Sequence, residues 1–225
     1  MPTCYLVGAS PEIEDAPQVS LGQVCPGDFI IAADGGCAHL RRWGIAPDFV
    51  IGDMDSLAGE LPEGVPAAIF PSEKNETDME LALQEGLRRG FRRLVLLGAC
   101  GGRPDHTMAN VQLLVQAAQQ GASAVLHMGG WRCTAICAPG GNSSLKLNGK
   151  GMVSVFAYGA QAHGVVITGL KYPLAGETLD GAVPRGTSNE LDGEGTISLD
   201  EGTLLCCWEA QILPEFFSNA LQRLK

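Results

Sequence analysis

The sequence predicts a two-part protein of the α/β class: a mostly parallel α/β domain over residues 1–130, then an all-β domain over 131–225. Two observations predict this. Short apolar runs alternate with helical patterns through the first half, as in a parallel sheet covered by helices. After about residue 130 the runs become β-rich and are broken at short intervals by Gly, Pro, Asn and Ser. At 225 residues the chain has room for one large domain or two modest ones, and either can bury a core.

In chain order, "CYLVGAS", "FIIAAD", "FVIGD", "AAIFP", "LVLLGAC" and "SAVLHM" are brief and rich in Val, Ile, Leu and Phe, and read as strands buried on both faces. A short helix, "GGCAHLRRWG", follows the second. In "TDMELALQEGLRRG", Met79, Ala82, Leu83, Gly86 and Leu87 share one helical face and Gly90 supplies the stop. In "DHTMANVQLLVQAAQQG", Val111, Leu114, Val115 and Ala118 repeat that spacing. Met108 extends the face by a turn and Gly121 closes the helix. The boundary falls near 129–142. Beyond it, "WRCTAICAPGGNSSLKLNGKGMVSVFAYG", "GVVITGLKYPL" and "GTISLDEGTLLCCWEA" read as an antiparallel sheet, sandwich or barrel, and "PEFFSNALQRLK" as a short terminal helix.

Composition narrows the function. The formal charge is −10, from 25 acids and 15 bases, which argues against a broad surface for nucleic acid or anionic membrane. No apolar run approaches the roughly 20 residues that cross a bilayer. The start, "MPTCYLVGASPEIEDAP", lacks a basic flank and meets Pro11 and three acids, so it reads as a first strand and the chain as cytoplasmic. The eight cysteines show no C-x-x-C spacing, and reduced, mostly buried thiols are expected, including the adjacent Cys206 and Cys207.

In open α/β sheets ligands bind at the carboxyl ends of the strands. Four predicted connections at that rim carry acids: Asp34-Gly35-Gly36, Asp53 and Asp55 in "GDMDS", Lys74, Thr77, Asp78 and Glu80 in "EKNETDME", and Arg103, Asp105 and His106 in "GGRPDH". Singly each has a plain reading: Asp78 and Asp105 as helix caps, Asp34-Gly35 as a turn, "GDMDS" as a solvated loop, His39 and His106 as hydrogen-bonded structural residues. Together, so many carboxylates call for a divalent cation, and an all-oxygen set with water and phosphate describes Mg²⁺. Gly101 and Gly102 let the backbone approach a ligand, the following helix start favours a phosphate oxygen, and Arg103 can fork onto others. Lys74 offers a second cation. G-x-x-x-x-G-K-[ST] and G-x-G-x-x-G are both absent.

These motifs, "DGG" (34–36), "GDMDS" (52–56), "TDMELAL" (77–83), "GGRPDHTMAN" (101–110), "TGLKYPL" (168–174) and "TSNE" (187–190), stand in the order of the thiamine pyrophosphokinase family, which the sequence resembles over most of its length. The resemblance implies an α/β nucleotide-binding domain followed by a β-sandwich-like domain, in a homodimer. It implies ATP and Mg²⁺ as co-reactants, with the thiamine hydroxyl attacking the β-phosphorus and AMP leaving. It assigns Asp53, Asp55 and Asp78 to Mg²⁺. Asp34, Gly35, Gly36, Lys74, Thr77, Arg103 and His106 go to ATP. Asp78, Arg103 and Asp105 go to catalysis, with Asp78 and Asp105 both open as general base. Ser188 and Asn189 mark the thiamine site, with Tyr172, Trp131 and Trp208 as candidate ring partners and each equally a core residue. Asn75 stands where relatives often carry an acid. A different heteroaromatic alcohol as acceptor, or a non-catalytic nucleotide or thiamine diphosphate sensor, are the rival readings.

Overall fold

The computed structural model describes residues 1–11, 13, 24–53, 61–71, 73–141 and 143–215. The chain divides into two compact units, Met1–Leu113 with Ala124–Met128, and Leu114–Ser123 with Gly129–Lys225.

In the first unit β1 (Cys4–Val7), β2 (Phe29–Ala33), β3 (Phe49–Gly52), β4 (Ala67–Ile69), β5 (Arg93–Leu97) and β6 (Ser123–Met128) lie in the order β6-β5-β1-β2-β3-β4. β1 pairs in parallel with β2 on one side and β5 on the other, with Cys4 level with Phe29 and Leu94. The β2–β3 and β3–β4 pairs are parallel too. All four residues of β1 are buried, as are Leu94–Leu97 of β5, because helices on a parallel sheet leave neither face of a central strand to water. β4 departs from expectation. It is three residues long, and Ile69 is 50% exposed, since an end strand packs against a neighbour on one edge only.

The helices are α1 (Gly36–Trp43), α2 (Asp78–Arg88) and α3 (Pro104–Gln119). Gly44 ends α1 in the left-handed conformation. Thr77 caps α2, its hydroxyl accepting from Glu80 N–H at 3.1 Å. Asp78 is therefore the first helical residue and not the cap. Likewise α3 opens at Pro104, whose missing N–H costs nothing there, so Asp105 is its second residue and not the cap. Met79, Ala82, Leu83, Gly86 and Leu87 form the buried face of α2 as the spacing predicts. On α3, Leu114, Val115 and Ala118 are buried, but Met108 is 72% exposed. The inward positions of its first turns belong instead to Thr107 and Asn110, which bond the preceding loop.

Apart from the end of α3, the second unit is built of antiparallel strands. It holds β7 (Trp131–Ala138), β8 (Ser144–Ala157), β9 (Gln161–Leu170), β10 (Leu174–Asp180), β11 (Asn189–Ser198), β12 (Gly202–Glu209) and β13 (Leu213–Pro214). Its ladders run β10-β9-β11-β8-β12-β7, with β13 beside β8. The path curls on itself: near the start of β9, His163 forms a bridge to Glu201, just before β12. Trp208 is fully buried with Nε1 donating to Ile212 O at 3.1 Å, which makes it a core residue and removes it from the candidate ring partners. The predicted terminal helix lies almost wholly outside the described residues.

Candidate active site at the β1–β5 switch point

From β1 the chain steps outward through β2, β3 and β4, then returns to place β5 on the opposite side of β1. Neighbouring parallel strands whose connections leave in opposite directions open a crevice at their carboxyl ends. A cavity of about 420 Å³ lies there, lined by the loops after β1, β2 and β5 and by the starts of α2 and α3. The two glycines that end β1 and β5 make it possible. A Cβ on Gly8 would lie 2.6 Å from Gly98 O, and one on Gly98 would lie 2.6 Å from Gly8 O.

The glycine-rich loop before α3 is held from within. Asn110 Nδ2 donates to Ala99 O at 2.5 Å, and Gly101 N–H donates to the Thr107 hydroxyl at 3.2 Å. Ser10 adds its hydroxyl to Cys100 O and its N–H to Gly98 O at 2.9 Å. Gly101 and Gly102 take φ of 88° and 70°, open to glycine at little cost. Sequence reasoning missed Ser10, Thr107 and Asn110. The legible signal was two polar residues at i, i+3 in "HTMAN", on the helix side that should have been apolar.

Of the residues expected at the site, Asp34, Thr77, Asp78, Arg103 and His106 line this cavity. Asp34 holds the left-handed backbone at φ 54°, its N–H bonded to Ile51 O at 2.7 Å. Its Oδ1 is buried and has no hydrogen-bond partner among the described residues. Asp78 sits at the positive end of α2. Its Oδ1 lies 2.8 Å from Lys74 Nζ, an ion pair with neither side chain more than 20% exposed. The same oxygen has no directional hydrogen bond, so the contact is Coulombic. Lys74 therefore reaches the site through Asp78 and does not itself line the cavity.

Arg103 and Asp105 form an exposed pair with contacts of 3.2 and 2.5 Å. The guanidinium holds the Asp105 carboxyl below the ordinary carboxylate range, and the carboxylate raises Arg103 in turn. Asp105 does not line the cavity, and its carboxylate takes up Nε and Nη2 of Arg103. Gly35 and Gly36 do not line it either. A Cβ on Gly36 would fall 1.9 Å from Val7 O, so this glycine lets α1 press against the end of β1. Asp53 follows β3 and is half-buried, outside the lining set, and Asp55 lies outside the described residues. His39 holds Ser10 O at 2.9 Å, and burial lowers its pKa.

Among the described residues no three His, Cys, Asp or Glu side chains form a ready cation cage. The carboxylates present suit Mg²⁺ in kind: Asp34 offers a buried oxygen and Asp78 a second carboxylate on the same cavity.

In the second unit, Ser188 takes φ 62°, is exposed, and donates its N–H to Ser154 Oγ at 3.1 Å. Asn189 is 5% exposed and fully engaged: Oδ1 accepts from Tyr172 and Glu190 N–H, both at 2.9 Å, and Nδ2 donates to Tyr172 O at 2.8 Å. It clamps the backbone of Tyr172, whose ring is exposed with Lys171 Nζ 5.5 Å from its centroid. Trp131 is 39% exposed. Lys171 pairs with Glu190 at 2.6 Å beside an open depression of about 640 Å³.

Comparison with known proteins places both halves. Residues 26–126 match the family model of the thiamin pyrophosphokinase catalytic domain, and residues 144–204 match that of the thiamin pyrophosphokinase vitamin B1 binding domain. A thiamine pyrophosphokinase of Bacillus subtilis (strain 168) is 29% identical over 181 residues, 78% of this chain and 84% of that protein. A crystal structure of thiamine pyrophosphokinase from Bacillus subtilis superposes with a TM-score of 0.80 at 24% identity, covering 92% of this chain and 98% of the other. One from Geobacillus thermodenitrificans gives 0.76 at 26%, covering 92% and 97%.

Proposed function

The chain belongs to the thiamine pyrophosphokinase family, and on that premise we propose that it transfers the diphosphoryl group of ATP to the hydroxyl of thiamine, releasing AMP. The observation that carries the reading is the convergence of Asp34, Asp78, and the pair Arg103 and His106, from three separate connections, on one crevice at the β1–β5 switch point. Residues 1–130 serve as the ATP- and Mg²⁺-binding catalytic domain. Residues 131–225, sandwich-like, serve as the thiamine-binding domain. The enzyme works as a cytoplasmic homodimer.

The chemistry is positioning and charge neutralisation. The glycine-rich loop and the start of α3 hold the polyphosphate through backbone N–H groups. Arg103, released from Asp105, forks onto phosphate oxygens where charge builds as the β-phosphorus changes partners. Lys74 balances Asp78 until the nucleotide enters. Asp53, Asp55 and Asp78, together with Asp34, would hold Mg²⁺, which would supply further neutralisation of the phosphates. Asp105, once free of Arg103, or Asp78 orients the attacking hydroxyl. Ser188 and Tyr172 contact the thiamine, and Asn189 holds Tyr172 in place.

The deciding experiment incubates the purified full chain with thiamine, ATP and Mg²⁺ and separates the nucleotides. AMP released only with thiamine supports the assignment. ADP marks an ordinary kinase, and no turnover marks a binding protein.

A further inference from the structure

Cys133 on β7 and Cys207 on β12 face each other directly across the antiparallel ladder. Their sulfur atoms lie 3.1 Å apart. Facing residues in such a ladder have Cα atoms about 4.5–5.5 Å apart, inside the span of roughly 4.4–6.8 Å that a disulfide accepts. No other two of the eight cysteines occupy facing ladder positions. We infer that Cys133 and Cys207 form a dithiol site that hydrogen peroxide converts reversibly to a cross-strand disulfide, ahead of the other six thiols.

The two members differ in a way that divides the labour. Cys207 is half-buried and open to a small oxidant, whereas Cys133 is 2% exposed. The sulfur–sulfur hydrogen bond links the two thiols and lowers the pKa of Cys207, the more accessible of the pair. The Cys207 thiolate attacks one peroxide oxygen, giving a sulfenic acid and hydroxide. Cys133 sulfur then attacks the sulfenic sulfur, the S–OH bond breaks, and the thiol proton leaves with that hydroxyl as water. In sum two thiols and one peroxide give one disulfide and two waters, with two electrons passing from sulfur to oxygen.

Each of the remaining six thiols lacks a facing cysteine, the half-buried Cys25 and Cys37 included, and burial raises the Cys37 thiol. Cys206 adjoins Cys207 in sequence but points to the opposite face of β12, is fully buried, and has its thiol raised by that burial. Cys4 is buried and pushed up to about 12. Cys137 faces Thr203, whose hydroxyl donates to its sulfur at 3.4 Å. Cys100 is spent on His127 O at 3.1 Å.

The test treats the full chain with a few-fold excess of hydrogen peroxide, alkylates the remaining thiols and maps the peptides by mass. One Cys133–Cys207 bridge, lost on adding dithiothreitol, with the other six cysteines alkylated, supports the inference. A Cys206–Cys207 bridge, a bridge between chains, or alkylation of all eight overturns it. In Cys133→Ser, and in Cys133→Ala should circular dichroism show the first variant unfolded, Cys207 lacks its resolving thiol and dimedone captures it as a sulfenic acid. Capture at a different cysteine overturns the assignment of Cys207 as the attacking thiol.

Discussion

Asp34 combines two costs that a folded chain normally avoids: a left-handed backbone on a residue with a Cβ, and a buried carboxylate oxygen without a partner. Strain of this kind persists where function requires it. Asp34→Gly should relieve the backbone and the orphaned oxygen, leaving stability unchanged or raised by about 1 kcal/mol, while turnover falls roughly 10²-fold. Thermal melts and initial rates on one preparation check both halves. Asn189 acts differently, through hydrogen bonds to Tyr172 backbone on both sides of the peptide. Asn189→Ala should destabilise the fold by about 1–3 kcal/mol and raise the KM for thiamine more than the KM for ATP. Equal changes in the two constants would move the acceptor site away from Tyr172.

At the level of elements, the crevice depends on how closely β1 and β5 approach at their ends. Gly98→Ala meets both a φ of 56° and a carbonyl 2.6 Å from the new Cβ, so it should cost roughly 1–3 kcal/mol by urea denaturation and distort the glycine-rich loop. α2 carries a second, charge-based device: Glu85 accepts from Arg88 at 2.7 and 2.8 Å and from Arg89 at 2.7 Å. These cations, Arg88 foremost, hold the Glu85 carboxyl below its ordinary value. A carboxyl depressed in the folded state contributes stability above its unfolded pKa and loses it as pH falls through the folded one. Glu85→Gln should therefore cost about 0.5–1 kcal/mol at neutral pH, a screened value for a surface pair, with the gap to wild type closing below about pH 4. A gap that persists in acid would show that packing, not charge, supplies the contribution.

For the molecule as a whole, a net charge of −10 and carboxylates at the crevice set the terms on which a polyanionic nucleotide binds. The proposed function gives magnesium a part in turnover and none in holding the fold. Removal of divalent ions with EDTA should stop AMP release while shifting the melting temperature of the ligand-free protein by less than about 1 °C. A large drop in melting temperature would reveal a structural cation.

The sequence by itself determined much of the local grammar: the strand runs of the first half, the existence and approximate span of α1, α2 and α3, and the change from α/β to antiparallel β, while the caps of α2 and α3 and the strand β10 were not read from it. It also determined the set of motifs through which the family is recognised. These are legible because period, capping and turn chemistry act over a few residues. Only the tertiary structure decided that Asp34 and Asp78 line the crevice while Asp105 is tied to Arg103, and that Gly36 packs against β1 instead of lining the site. Only it showed Thr107 and Asn110 on the inner side of α3, leaving Met108 to solvent. The reason is physical. Those outcomes follow from β1 lying between β2 and β5, a pairing of segments about 90 residues apart that no local pattern encodes.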